Sequence, residues 1–155
     1  MEKTCILIKP DALQRNLLGE IIRRFERKGL KIVGLKMMQL EDVVLEDHYV
    51  HHKDKPFFGK LRDFMKSTPV IAVALQGLDA VDAVRIIVGT TKGREADAGS
   101  IRGDLAMSIQ TNLVHASDST ENAQVEIKRF FKEEELFNYK KVDLNFVYSE
   151  DELEE

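Results

Sequence analysis

Leu18, Ile21, Ile22 and Phe25 recur at i, i+3, i+4 and i+7, the apolar stripe of an amphipathic helix. Arg27 and Lys28 fill its last turn and Gly29 follows, which is a helix stop signal. Elsewhere the period changes. Residues 4–8 and 70–75 are continuous apolar runs of strand length, the first stopped by Lys9-Pro10-Asp11, which predicts a turn. Val33, Leu35 and Met37 alternate with smaller or polar residues and predict a second strand. Residues 41–66 hold helical pieces broken at Pro56 and Gly59. Val81, Val84 and Val88 predict a helix ending at Gly89. Leu113 and Val114 predict a short strand, and Ala123, Ile127, Phe130 and Phe131 a closing helix. Residues 90–112, with Gly93, Gly99 and Gly103, show no period, and a loop of that length is uncommon unless it has a task. The order is β-α-β-α-β-α-β-α, with no internal repeat and no linker.

Length and charge narrow this picture. The 155 residues fit one domain, read as 1–149, followed by a flexible acidic tail at 150–155. The net charge of −4 at first disfavours a polyanionic ligand. However, residues 150–155 hold five of the 27 acidic residues, so the remaining body has 22 acids against 23 Lys and Arg, a net of +1. Cys5 is the only cysteine, which excludes an intrachain disulfide and suits a reducing compartment. No apolar run approaches the roughly 18 residues of a membrane span, and residues 1–4 do not open a signal peptide. These features predict a cytoplasmic protein without a membrane partner. With no basic stripe and no recognisable motif, no nucleic-acid partner is expected either.

The candidate chemistry centres on His115, at the end of a predicted strand. Asp118 and Glu121 behind it have the spacing of an acidic capping box. Glu126 lies three residues after Ala123 and four before Phe130, on the apolar side of the last helix, where a carboxylate needs a partner. An imidazole N–H from His115 would supply one and leave the second ring nitrogen free as nucleophile or base. The same spacing also fits a plain structural pair. Lys9 closes a buried strand, Arg85 lies among the apolar residues of its helix, and Arg102 stands between small residues; together with a nucleophilic histidine they resemble a phosphate clamp. Neither a P-loop nor a G-x-G-x-x-G turn occurs, since 89–93 only hints at the former. His48 and His52 at i, i+4 have the spacing of a zinc pair, but there is no H-E-x-x-H and no third ligand is evident, so His48, His51 and His52 read as a solvated helix face. Tyr49 sits in the same segment, and Phe57-Phe58 after Lys55-Pro56 would stack on a base if one ring is exposed.

Four blocks in order resemble the nucleoside diphosphate kinase family, bacterial type: Ile8-Lys9-Pro10-Asp11, Tyr49 with Lys55-Pro56-Phe57-Phe58, Ile101-Arg102-Gly103-Asp104, and Asn112-Leu113-Val114-His115-Ala116-Ser117-Asp118-Ser119. The match spans Lys3 to Tyr148, and the last block is the family's signature around its phosphorylated histidine. The resemblance implies a ferredoxin-like α/β (α+β) fold, βαββαβ, with an antiparallel sheet, covering helices and a long loop before the last strand. It implies a ping-pong transfer of the γ-phosphoryl group from a nucleoside triphosphate to a nucleoside diphosphate through His115, oriented by Glu126. Lys9 and Asn112 then take the ribose 3′-hydroxyl side, and Lys9 and Tyr49 lie beside the transferred phosphate. Arg85, Thr91 and Arg102 hold phosphates, Phe57 stacks on the base, and Leu61 and Ile109 line its slot. Mg2+ arrives with the nucleotide, with Asp118 touching it through water. A homo-oligomer, tetramer or hexamer, is implied as well.

The chain departs from the commonest family pattern at Ala116, where many members have glycine, and at Gly93 and Ala98, where many have proline. Fewer prolines predict a loop less restrained in the unfolded state and weaker subunit packing. The alternative reading is a nucleotide-binding regulatory protein that keeps the pocket without turnover. Loss of His115, Lys9, Arg102 or Asn112 would favour it, and all four are present.

Overall fold

The computed structural model describes residues 1–153. Four strands form one sheet: β1 (Glu2–Ile8), β2 (Lys31–Met38), β3 (Val70–Gly77) and β4 (Val114–Ala116), in spatial order β2-β3-β1-β4. Every neighbouring pair is antiparallel, the ferredoxin-like arrangement. The helices are α1 (Pro10–Gln14), α2 (Leu18–Arg27), α3 (Asp42–His48), α4 (Phe58–Met65), α5 (Ala80–Val88), α6 (Ile101–Leu105), α7 (Thr120–Phe130), α8 (Leu144–Val147) and α9 (Glu150–Leu153).

The continuous apolar runs are the two central strands, and both of their faces are covered. Ile6 and Ile8 of β1 join Ile71, Val73 and Leu75 of β3 in a core closed by α1, α2, α5 and α6. The alternate residues Cys5, Leu7, Ala72 and Ala74 point the other way, into a core closed by α3, α4 and α7. Two-sided burial removes the polar half of the usual strand alternation. Gly29 takes φ +99° after α2, a conformation open to glycine, and the chain turns there into β2.

The structure departs from the sequence reading in four places. A bulge between Ile32 and Gly34 breaks the alternation of β2, so Val33 is buried while Leu35 and Met37 are exposed. They lie opposite Val73 and Ile71, on an edge strand of the sheet. Lys9 is the N-cap of α1 and Pro10 its first residue, so the expected turn is a helix start. Gly59 lies inside α4 and does not break it. The aperiodic segment 90–112 contains a 3-10 turn at Gly93–Glu95 and the helix α6, capped by the Ser100 hydroxyl, which accepts from Gly103 N at 3.0 Å.

That segment is packed tightly. A Cβ on Gly103 would meet Asp97 O at 1.9 Å, so no larger residue fits. Gly93 is buried and donates its N–H to Ser108 O at 3.1 Å, a bond proline could not make. At the chain's end, residues 150–152 are exposed as one helical turn, with Glu152 accepting from Ser149 N and Oγ. Glu154 and Glu155 of the acidic tail lie outside the described residues.

Candidate active site

β4 pairs with β1 so that His115 stands opposite Leu7, and the two side chains share the face that carries α7. The strand is aimed by what precedes it. Leu113, fully buried, adopts φ +72°, and its N–H is held by Asp11 Oδ2 at 3.0 Å while its carbonyl accepts from Lys9 N at 2.8 Å. The residues just after β1 therefore fix the entry to β4.

Behind His115, α7 begins at the Ser119 hydroxyl, which accepts from Asn122 N at 3.1 Å. Asp118, expected as part of the cap, instead accepts from Asn122 Nδ2 at 2.6 Å. One turn on, Glu126 faces inward. Its Oε1 is 2.9 Å from His115 Nε2 and its Oε2 accepts from Ser117 Oγ at 2.6 Å. A carboxylate accepts, so the proton of a neutral His115 resides on Nε2 and the lone pair on Nδ1.

His115 lines a cleft of about 780 Å³. Lys9, Tyr49, Phe57, Arg85 and Asp118 open onto it. So do Leu61, Thr91, Arg102, Ile109 and Asn112, so every sequence candidate except Glu126 shares this one space, and Glu126 touches it through His115. Phe57 is half exposed while Phe58 is buried, which divides the aromatic pair between cleft and core. Burial of Tyr49, and then Glu126, pushes its phenol well above the ordinary range, so it stays a neutral hydroxyl.

The cations are held differently from one another. Lys9 is 6% exposed; its Nζ donates to Asn112 Oδ1 at 2.7 Å and to Gln110 O at 3.3 Å. Asn112 in turn donates to Thr91 O at 2.7 Å and Ile109 O at 2.9 Å, tying the long segment to the strand. Arg102 is buried among carbonyls, donating to Asn112 O, Gly89 O and Val114 O. Arg85 is exposed on α5. Burial pulls Lys9 down to about 8, and Arg102 adds to the fall; burial followed by Arg85 lowers Arg102 to about 10. Lys9, Arg102 and Arg85 thus concentrate positive charge on one cleft wall.

His48 corrects the sequence reading of a solvated histidine face. Its side chain is 1% exposed, its ring stands edge-on to His115 with centroids 4.5 Å apart, and its Nδ1 is 3.8 Å from Glu126 Oε1. Long-range packing of α3 against α7 buries it, which no local period reveals. His51 and His52 are exposed, and His52 reaches the cleft with its ring 5.5 Å from Phe57. Asp11, Ser117 and Gln110 were also missed as site residues. Asp11 and Ser117 lie inside the family-like blocks, but their tasks are hydrogen bonds to distant backbone.

A family model described as nucleoside diphosphate kinase matches residues 2–136. A nucleoside diphosphate kinase of Parabacteroides distasonis is 51% identical over 153 residues, covering 99% of this chain and 100% of that protein. One from Staphylococcus haemolyticus is 56% identical over 139 residues, covering 90% and 93%. Among solved structures, a halophilic nucleoside diphosphate kinase from Halobacterium salinarum in complex with CDP superposes with a TM-score of 0.93 at 40% identity, covering 96% of this chain and 99% of that one. With one cleft joining a carboxylate-oriented histidine to convergent cations, and with relatives of this identity along nearly its whole length, the chain belongs to the nucleoside diphosphate kinase family.

Proposed function

We propose that His115 is the phosphoryl carrier in the family's reaction, the transfer of a γ-phosphoryl group from a nucleoside triphosphate to a nucleoside diphosphate. The observation that carries this reading is the bond between His115 Nε2 and Glu126, which leaves the Nδ1 lone pair to a cleft lined by Lys9, Arg85 and Arg102. Nδ1 forms a bond to the γ-phosphorus as the bond from that phosphorus to the β–γ bridging oxygen breaks, and the nucleoside diphosphate leaves. A terminal oxygen of a second diphosphate reverses these events. Such a transfer has a loose transition state, so charge and position do most of the catalysis.

Lys9 and Tyr49 lie beside the transferred group, and Lys9 with Asn112 takes the ribose side. Arg85, Thr91 and Arg102 hold phosphates, although Arg102 already spends donors on three carbonyls and also anchors the loop. Phe57 stacks on the base between Leu61 and Ile109. A ring face is tolerant of base identity, which supports broad specificity. The donor set fits Mg2+ carried in by the nucleotide: Asp118 offers a hard carboxylate at the cleft edge, and this ion keeps most of its waters and phosphate ligands. Asp118 would hold it through water, and the ion would supply charge neutralisation on the phosphates.

We read residues 1–149 as one catalytic unit acting as a homo-oligomer, tetramer or hexamer, in the cytoplasm. Leu35 and Met37, exposed on the edge strand β2, support assembly. Cys5 is buried and unpaired, which is in keeping with a reducing compartment. No helix among the described residues is long and apolar enough to cross a membrane.

Incubation with γ-labelled ATP and magnesium tests the assignment. The expected product is a label stable to alkali and labile to acid, absent from His115→Gln. Equal labelling of that variant overturns the role of His115. Phosphate exchange between ATP and a panel of diphosphates then separates a catalyst from a mere binder and reads base tolerance.

A further inference from the structure

His48 ends α3, and its imidazole is packed against His115, Tyr49 and Phe130 at centroid distances of 4.5, 4.6 and 5.1 Å. Its Nδ1 lies 3.8 Å from Glu126 Oε1, the same oxygen that takes the His115 Nε2 proton. A second imidazole therefore stands within reach of the carboxylate that orients the first.

Arg129 decides between them. It follows Glu126 by three residues and shares that side of α7. Its Nη1 is 3.3 Å from His48 Nδ1, and its Nε is paired with Asp47. A guanidinium only donates, so His48 Nδ1 accepts and the proton of that ring is on Nε2. His48 Nε2 is buried and has no hydrogen-bond partner among the described residues. A buried orphan N–H is costly, and its persistence calls for a reason. The other tautomer would turn an N–H toward the guanidinium and offer it to Glu126.

We propose that Arg129 is a positioning residue for phosphoryl transfer, which by occupying His48 Nδ1 stops that imidazole from drawing Glu126 away from His115. The proposal rests on His115 as the phosphoryl carrier. The groups facing His48 are His115 from β4, Glu126 and Arg129 from α7, Lys9 at the start of α1, and Asp47 beside it on α3. Burial, His115, Arg129 and Lys9 all hold His48 far below the ordinary histidine range. Without the guanidinium, the neutral ring is free to take its Nδ1–H tautomer and donate to Glu126 Oε1. His115 then loses the bond that fixes its tautomer, and its Nδ1 lone pair is no longer held ready.

The test is single-turnover phosphorylation by γ-labelled ATP over about pH 5.5–8.5, the range of histidine titration. Arg129→Met is expected to slow the step roughly tenfold across that whole range, because the competing donor is a neutral tautomer that does not titrate there. Arg129→Lys, which restores a donor and a charge, is expected to recover part of the loss. In a His48→Phe background the Arg129→Met change is expected to add nothing. No loss, a loss confined to the acid end, or one of the same size in the His48→Phe background overturns the proposal. Nitrogen-15 imidazole spectra of the unsubstituted protein need no variant: His48 is expected as the Nε2–H tautomer at every pH in that range. An Nδ1–H signal, or titration near the ordinary histidine pKa, overturns it as well. Labelling of His115→Gln reads the carrier assignment separately, so the two ideas fail independently.

Discussion

The carboxylate of Asp11 accepts the backbone N–H of Leu113 at 3.0 Å, joining residues 102 apart in the chain. Leu113 is fully buried in left-handed backbone at φ +72°, where a branched side chain is strained by about 1–3 kcal/mol. The bond to Asp11, with that from Lys9 N to Leu113 O, keeps the strain in place two residues before His115. One junction thus places the cationic Lys9 and aims the histidine with which it shares a cleft.

Asp11→Ala is expected to lower stability by about 1–3 kcal/mol in urea unfolding, because it orphans a buried N–H. Under conditions where the variant is folded, the rate of His115 phosphorylation should fall as well. Asp11→Asn keeps an acceptor and should lose less stability. It also removes the charge that supports protonation of Lys9, so its rate at alkaline pH should fall further than its stability does. Equal losses for the two variants would show that the bond to Leu113 contributes little.

Arg102 gives a second separation. Its guanidinium reaches the carbonyls of Gly89, just after α5, and of Asn112 and Val114, at the entry to β4. Lysine carries the charge but not the fork. Arg102→Lys should therefore be destabilised by about 2–4 kcal/mol, since buried carbonyls lose their donors. The midpoint of denaturant unfolding checks this. Unchanged stability with slower transfer would assign Arg102 to the phosphates alone.

Much of this arrangement was legible in the sequence, for identifiable reasons. The two-sided burial of β1 and β3 writes itself as continuous apolar runs, and the stripes of α2, α5 and α7 follow from one-sided packing. The inward carboxylate at Glu126 was visible because it interrupts an apolar stripe. Where long-range geometry overrides the local pattern, the reading failed. The bulge at Val33 moves Leu35 and Met37 to the surface, and the packing of α3 on α7 buries His48 inside a polar segment. Asp11 and Ser117 act on backbone groups about a hundred residues away, and no periodicity encodes such partners.

The exposed Leu35 and Met37 of β2 make assembly testable. Phe137 N and the Tyr139 hydroxyl bond the carbonyls of Val33 and Ile32 on this edge strand, but Leu35 and Met37 project to solvent, an apolar surface that a second copy of the chain would cover. Leu35→Glu with Met37→Glu should shift the sedimentation coefficient toward the monomer, as like charges from two copies would meet. Because neither residue lines the cleft, any loss of transfer activity should track dissociation. An unchanged sedimentation coefficient would remove this edge from the interface.

Lys9 gives a prediction in which activity and stability move in opposite directions with pH. Burial lowers its ammonium from 10.5 to about 8, so the folded protein binds fewer protons than the unfolded chain between those values. Stability rises with pH wherever the unfolded state holds more protons, so this group's unfavourable contribution is relieved as pH climbs from about 8 toward 10.5. Over the same range the cation that would steady the transferred phosphoryl group is lost, and kcat/KM, which reports the free enzyme, should fall above about pH 8. Lys9→Met should abolish both trends. Its rate should be lower by about 10²–10³-fold at neutral pH, the size of effect seen when one charge-stabilising donor is removed. Its unfolding free energy should lose the alkaline rise assigned to Lys9. Urea titrations and kcat/KM measured across that range decide the matter. A rate for Lys9→Met close to that of the unsubstituted protein would remove Lys9 from the reaction.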